Sequence, residues 1–236
     1  MTNQLLTLQN GETISYLLER RPRRTVGLKI TADGLVVHAP KRIFEFQLHQ
    51  ILQQKSNWIL SKLQAREANQ VAKIEWIDGE HLLYLGNDIQ LQITPSTSNK
   101  AVIFEQNTLF ITALQPNNHA VLGRKVIQWY KRQAALDFSR RLEILASKLG
   151  VATPPLTLSN AQSRWGSCNS RGEVRLNWRL LQAPPHIINY VICHELAHLK
   201  QMNHSAKFWA VVESLFPNYK AAEKELKALS PQLHRM

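Results

Sequence analysis

The chain has 236 residues, of which 44% are hydrophobic and 19% are charged, so it is long enough to bury a core without covalent cross-links. Its two cysteines, Cys168 and Cys193, are too few for a disulfide framework, which excludes the class of small disulfide-stabilised secreted proteins. No stretch approaches the roughly 18 apolar residues of a membrane span, and the first residues lack the basic and apolar regions of a secretion signal. We therefore expect a soluble cytoplasmic protein with no membrane partner.

The net charge of +12 is large and unevenly placed. Residues 120–180 contain eleven Lys or Arg residues against three acidic ones. Such an excess attracts polyanions and phosphorylated substrates and speeds their encounter. It is compatible with a nucleotide or a nucleic acid as an anionic partner, and equally with a solvated surface that only aids solubility.

Residues 1–118 are expected to form an N-terminal mixed α/β region. Short runs of β-branched and aliphatic residues, separated by turn-forming pairs such as Asp78-Gly79, indicate strands and hairpins, and apolar residues at helical spacing indicate one helix. The expected elements are strands at 14–18, 25–31 and 35–38, one helix over 44–63, and short strands within 77–93 and 102–113.

Residues 119–236 contain the longer helical patterns. A helix over 120–149 is expected to end at Gly150, and Pro184-Pro185 is expected to open another helix from about His186. Ser205 is a suitable N-cap for a following helix. The alternating run 174–180 predicts a strand, which is either an edge strand that aligns an extended peptide or an ordinary part of a sheet.

The sequence His194-Glu195-Leu196-Ala197-His198 is an HExxH motif within the expected second helix. Its two imidazoles are four residues apart, so they share one helix face and can bind one metal ion. Glu195 lies beside them and can accept a proton from a water on that ion. His204 is a third candidate ligand, because the polar residues after His198 can end the helix and turn the chain back.

Around this motif the sequence resembles the YgjP-like metallopeptidase family, whose wider relatives are the SprT-like proteases. The resemblance implies an α+β fold in which a zincin-like catalytic domain, over residues 119–236, packs its metal-binding helix on a short antiparallel sheet. It also implies Zn²⁺ bound by His194, His198 and His204, with Glu195 as general base. The residues that carry the resemblance are 163–168, 175–178, 190–191, 194–199, 203–205 and 208–209, with weaker similarity at 23–24, 33–34, 39–40, 55 and 58–59.

The histidine spacing is also that of the metzincins. That group has a glycine between its second and third histidines, where this chain has Gln201, and a later Met-turn, for which only Met236 remains. We therefore favour the YgjP-like interpretation.

Arg164 and Tyr190 are further catalytic candidates. An arginine can bind an anionic group or a developing oxyanion, although a salt-bridge role is equally expected for Arg164. Tyr190 lies one helical turn before His194, where it can donate a hydrogen bond to the transition state or simply belong to the core.

The preferred function is zinc-dependent hydrolysis of a peptide or protein substrate. One alternative is a metal-dependent nucleoside triphosphate pyrophosphohydrolase, which the basic charge favours, and another is a DNA-associated SprT-like protease, by analogy with the relatives. A structural zinc site is a fourth interpretation, but Cys193 is poorly placed as its fourth ligand because it points about 100° away from His194 on the helix. The oligomeric state stays open.

Overall fold

The computed structural model describes residues 2–8, 11–31, 33–68, 72–97 and 102–236. The chain divides into two compact units, Met1–Gln70 and Val71–Met236. These compact units divide near residue 70, and the expected domain boundary between 118 and 119 stays a prediction from the sequence pattern. Within the described residues, no helix combines the length and the apolar character needed to cross a membrane.

The first unit is a four-stranded sheet followed by two helices. Strands β2 and β4 are parallel, and the other neighbouring pairs are antiparallel, in the order β1-β2-β4-β3. Alternate side chains of β4, namely Leu35, Val37 and Ala39, share a buried core with Leu48 and Leu52 of α1. The elements are β1 Thr2–Thr7, β2 Thr13–Arg21, β3 Gly27–Thr31, β4 Gly34–Pro40, α1 Glu45–Gln54 and α2 Ser56–Ala68.

The single helix expected over 44–63 is wrong, because the chain forms two helices there. The break is one residue long, at Lys55, whose amide donates to the carbonyls of both Ile51 and Leu52 at 3.2 and 3.1 Å. The amide of Ile59 then bonds the Lys55 carbonyl at 2.9 Å, so the next helix starts at once. Apolar spacing continues across so short a break and cannot reveal it.

The second unit begins with another four-stranded sheet, in the order β5-β6-β8-β7, and the long helix α3. Leu91 and Ile111 on the sheet share one core with Val126 and Tyr130 of α3. The Tyr130 hydroxyl also donates to the Leu83 carbonyl at 2.7 Å. This shared core explains why 72–118 belong with the residues that follow them. The elements are β5 His81–Tyr84, β6 Asn87–Pro95, β7 Ile103–Glu105, β8 Thr108–Ala113 and α3 His119–Leu149.

The rest of the second unit is a three-stranded sheet and three helices. Strand β11 lies between β10 and β9, antiparallel to the first and parallel to the second, so the sheet is mixed rather than antiparallel throughout. Because both sides of β11 are paired, the edge-strand alternative is wrong, and the strand is an ordinary part of the sheet. The α+β class is confirmed. The elements are β9 Leu156–Ser159, β10 Gly166–Cys168, β11 Val174–Asn177, a 3-10 helix Trp178–Gln182, α4 Pro185–Ala197, α5 Ala206–Leu215 and α6 Tyr219–Leu233.

The ends of these helices agree with the sequence signals. Gly150 adopts the left-handed conformation, with φ 69° and ψ 43°, and ends α3 as expected. Helix α5 follows Ser205, although the Ser205 side chain makes no capping hydrogen bond.

The tip of the β5–β6 hairpin supports the start of α4. The amides of Leu85 and Gly86 donate to the carbonyls of Leu181 and Gln182 at 2.9 and 3.0 Å, in the 3-10 helix that precedes α4. Gly86 has φ 82°, and a Cβ there would lie 2.9 Å from the Cα of Pro184. Only glycine fits this close approach.

We expect Gly86→Ala to lower the free energy of unfolding more than Gly150→Ala. Both residues have positive φ, which costs an alanine about 1–2 kcal/mol, but a Cβ at Gly150 meets no atom within 4 Å. The overlap with Pro184 adds strain, for a total of about 3 kcal/mol at Gly86. Urea denaturation of both variants measures the difference, and equal losses would contradict the close approach.

Candidate metal centre

Helix α4 is buried along almost its whole length and carries the HExxH motif on its last turns. Ile187, Ile188, Ile192, Leu196 and Ala197 are each 0% exposed. Because the rest of the helix is apolar and fixed in the core, the polar side chains at its end have a defined position.

The chain turns immediately after His198, the C-terminal cap of α4. The amides of Lys200 and Gln201 both donate to the Ala197 carbonyl at 3.0 Å, which closes a tight turn. This turn returns the chain so that His204 faces α4. The metzincin glycine is not needed here, since Gln201 forms the turn.

The structure brings the imidazoles of His194, His198 and His204 together. One potential ligand nitrogen from each lies within 4.8 Å of the others, and the Nε2 atoms of His194 and His204 are 3.1 Å apart. The three rings surround the fully buried ring of Phe208, with centroid distances of 4.9, 4.6 and 4.7 Å. Phe208 is therefore the apolar floor of the cluster, a role that the sequence did not predict for it.

The donor set fits a divalent cation. The Nδ1 of His198 lies 3.2 Å from the Gln201 carbonyl, which can only accept, so Nδ1 carries the proton and Nε2 keeps its lone pair. Burial, with help from His198 and His204, lowers the pKa of His194 to about 4, and burial also lowers the pKa of His198. Neutral imidazoles with free lone pairs are the form that binds metal.

Glu195 is the buried carboxyl group beside this cluster. Its side chain packs on Gly166 of β10 so closely that a Cβ on Gly166 would lie 2.6 Å from the Glu195 Cγ. Glu195 is only 5% exposed, and its Oε2 has no hydrogen-bond partner within the described part of the chain. The absence of a side chain at Gly166 thus makes room for the carboxyl group. A glycine inside a strand pattern is a known signal of such close approach, but we did not predict a functional role for it.

Burial raises the pKa of Glu195 to about 8, and the positive charge of Arg164 acts in the opposite direction. Arg164 is exposed and comes just before β10, so the structure places it within electrostatic reach of the carboxyl group. Tyr190 is buried, with its ring centroid 6.2 Å from that of His194. Burial raises the pKa of Tyr190 too, so its hydroxyl stays protonated and can donate a hydrogen bond.

A cleft of about 200 Å³ opens beside Glu195 and His194. Trp165 forms one wall. Its indole Nε1 donates to the Ser230 Oγ of α6 at 3.0 Å, and its ring stacks on His234, just after α6, with centroids 4.5 Å apart. The position of Trp165 in the cleft depends on Ser230, 65 residues further along the chain, and no local pattern reveals it. The other lining residues are Gly166, Tyr190, Val191 and Leu226.

The two cysteines do not join the site. Burial raises the pKa of Cys193 to about 12, and burial followed by the charge of Glu195 raises the pKa of Cys168. Both thiols therefore stay protonated. Within the described residues, the group that can hold a metal ion consists of the three histidines.

A family model described as the YgjP-like metallopeptidase domain matches residues 24–229. The chain belongs to this family. The resemblance seen in the sequence is confirmed, and membership makes this YgjP-like protein a metal-dependent hydrolase.

Individual relatives match smaller parts of the chain. A UTP pyrophosphatase of Escherichia coli (strain K12) is 26% identical over 96 residues, which are 41% of this chain and 54% of the relative. The chain thus spans about half the length of that curated relative. Crystal structures of the metallopeptidase zymogens abylysin of Pyrococcus abyssi and jannalysin of Methanocaldococcus jannaschii are 27% and 21% identical, with TM-scores of 0.37 and 0.35. They match 39% and 40% of this chain and 92% and 96% of their own.

In the metal-free protein, Glu195→Gln should raise the free energy of unfolding at neutral pH. The folded pKa of Glu195, about 8, is above its unfolded value of about 4.3, so the folded state holds a proton that the unfolded state releases. The wild type therefore loses stability as pH rises from about 4 to 8, and the variant should exceed it by roughly 1–3 kcal/mol at pH 7.

Urea denaturation in EDTA at several pH values measures this difference between the two proteins. Glu143→Gln on the exposed surface of α3 is the matched control, since it removes the same charge outside the cluster. A stability difference that does not grow with pH would show that Glu195 ionises normally in the metal-free protein.

Proposed function

We propose that this YgjP-like protein is a zinc-dependent peptidase. The observation that supports it most directly is the convergence of three imidazole nitrogens within 4.8 Å of one another, beside a buried carboxyl group that lines a cleft. In this proposal His194, His198 and His204 hold the ion, and Glu195 is the general base. The substrate is a peptide or protein segment that reaches the cleft.

Zinc is the ion that the donor set favours. Three imidazole nitrogens suit Zn²⁺, and catalytic zinc sites commonly use three protein ligands so that a fourth position stays open. When bound, the ion supplies a Lewis acid and makes a water molecule acidic enough to lose its proton near neutral pH.

Glu195 takes the proton from the attacking water and returns it to the amine that leaves. Its Oε2 suits this role because it is not engaged by another described group, and Glu195 lines the cleft. A cation beside Glu195 also stabilises its ionised form, which opposes the effect of burial on its pKa. Gly166 acts as a positioning residue, since its missing side chain fixes where the carboxyl group lies.

Arg164 and Tyr190 are proposed to stabilise the negative charge that develops on the carbonyl oxygen. Arg164 brings a positive charge near Glu195, and the buried Tyr190 hydroxyl is a neutral donor at the wall of the cleft. Donors placed in a water-poor site are effective because they need no reorganisation during the reaction.

His204→Ala should lose bound zinc. Removing one of three ligands weakens the site, whereas His186→Ala should keep zinc, because His186 lies at the exposed start of α4 and pairs with Glu225 at 2.8 Å. Elemental analysis of the two purified variants after dialysis against a weak chelator measures the bound metal. Equal zinc content in both would exclude His204 as a ligand.

Glu195→Gln and Gly166→Ala should both lose peptidase activity while keeping zinc. Loss of a general base typically lowers the rate by about 100- to 10,000-fold. A methyl group on Gly166 displaces the Glu195 side chain, and a displacement on the order of 1 Å can lower the rate by about 100-fold. Rates on casein or a peptide library, measured beside the zinc content, check both variants. An unchanged rate in Glu195→Gln would refute the proposed role.

A second candidate is hydrolysis of a nucleoside triphosphate. The E. coli relative named UTP pyrophosphatase favours it, as does the charge of Arg164 near Glu195, because phosphates need compensating positive charge. Pyrophosphate release from UTP, assayed beside peptide cleavage with the same preparation, separates the two. Activity on UTP that Glu195→Gln abolishes would favour the second candidate.

A further inference from the structure

Six cationic residues meet at one edge of the sheet in the first unit. Because β2 and β4 are parallel, both end at this edge, where Arg21 pairs with Pro40. Strand β3 is antiparallel to β4 and begins at the same edge, with Gly27 opposite His38. We call this group the arginine edge: Arg20, Arg21, Arg23, Arg24, Lys41 and Arg42.

The arginine edge keeps a positive excess. Its two segments, 19–24 and 40–46, contain six cations and two acidic residues, Glu19 and Glu45. Glu19 is engaged by Arg21 at 2.5 Å and by His38 at 3.0 Å. The two carboxylates therefore neutralise only part of the positive charge of the arginine edge. The side chains of Arg24, Lys41 and Arg42 are exposed.

Internal contacts fix part of this surface. Nη1 of Arg20 donates to the Ile43 carbonyl at 3.0 Å and to the Lys41 carbonyl at 3.4 Å, so it ties the end of β2 to the turn after β4. The Arg23 guanidinium lies against Gly27, where a Cβ would come within 2.8 Å of both Nη atoms. The backbone that carries the exposed cations is therefore held in place.

Two exposed aromatic side chains lie next to the cations. Phe44 precedes α1 and is 74% exposed, and Phe46 in its first turn is 71% exposed. Phe46 lines a surface cleft with His49 and Gln50, and Phe44, in the extended conformation before the helix, is not part of that lining, so the two rings do not form one apolar wedge. Each can stack separately on a flat group.

We propose that the arginine edge and its two phenylalanines bind single-stranded nucleic acid. Five of the six cations are arginines, whose planar fork binds phosphate with two hydrogen bonds and also stacks on bases. Separate exposed rings next to a cationic surface suit the alternation of phosphates and unpaired bases in a single strand. An anionic membrane would instead favour a continuous apolar face, which these two rings do not form.

The arginine edge is distinct from residues 120–180, the stretch in which the sequence shows an excess of Lys and Arg. There, Arg141 pairs with Asp137 at 2.6 Å, and the buried Arg179 donates to Asn160 at 2.6 Å. Part of that charge is therefore used within the second unit. The nucleic-acid surface is independent of the proposed peptidase activity.

Fluorescence anisotropy of the full chain with labelled oligothymidine and oligouridine tests the proposal over a series of salt concentrations. In a plot of the logarithm of the binding constant against the logarithm of the salt concentration, each phosphate contact should contribute a slope of about −0.7. Replacing Arg24, Lys41 and Arg42 by Ala should weaken binding about tenfold or more and lower the magnitude of the slope by about two. Phe44→Ser with Phe46→Ser should weaken binding about tenfold and leave the slope unchanged.

The matched control replaces Arg124, Arg132 and Lys148, which are exposed on α3 and carry the same three charges, by Ala. It should bind like the wild type, and circular dichroism verifies that each variant is folded. Tighter binding of oligothymidine would identify the ligand as DNA, and tighter binding of oligouridine would identify it as RNA. Both results support the proposal. Equal weakening in the control, equal affinity for duplex, or binding only to vesicles containing phosphatidylserine would overturn it.

Discussion

Helix α4 has to remain buried in an apolar core while its last turns carry a carboxyl group and two imidazoles. Those groups lose their hydration, and the loss disfavours every charged form of them. The imidazoles stay neutral, which is the state that binds metal, and one oxygen of Glu195 has no hydrogen-bond partner among the described residues. In the proposed function, a divalent cation at the three histidines relieves this conflict, because neutral imidazoles can bind it and its charge favours the ionised form of Glu195.

The surroundings of α4 serve this arrangement. Phe208 separates the three imidazoles from the core and lets them approach one another, and Gly166 leaves space for the Glu195 carboxyl group. The tip of the β5–β6 hairpin holds the residues before α4, while α6 fixes Trp165 at the cleft. These contacts restrict the positions of the side chains at the site. Such restriction is needed because a catalytic site has to hold several groups within about half an ångström of their working positions.

The first unit has its own hydrophobic core and its own charge pattern. Parallel pairing of β2 with β4 brings two basic segments, about twenty residues apart in the chain, to one edge. The second unit uses part of its cationic residues internally, as Arg141 and Arg179 show. Net charge alone therefore does not indicate which surface meets an anionic partner, because a salt-bridged or buried guanidinium contributes little to the external field.

Matching motifs in the sequence were enough to predict the family, and with it the α+β class. Local spacing was enough to predict the long helix with its Gly150 end and the candidate metal ligands. The folded chain was needed to see the division near residue 70, the break at Lys55, the central position of β11, and the contacts of Phe208, Gly166 and Trp165 around the site. Those features depend on which distant segments share a core or a hydrogen-bonded ladder. Periodicity records whether a residue is apolar, but not what it packs against, and for that reason the surroundings of the histidines could be seen only in the folded chain.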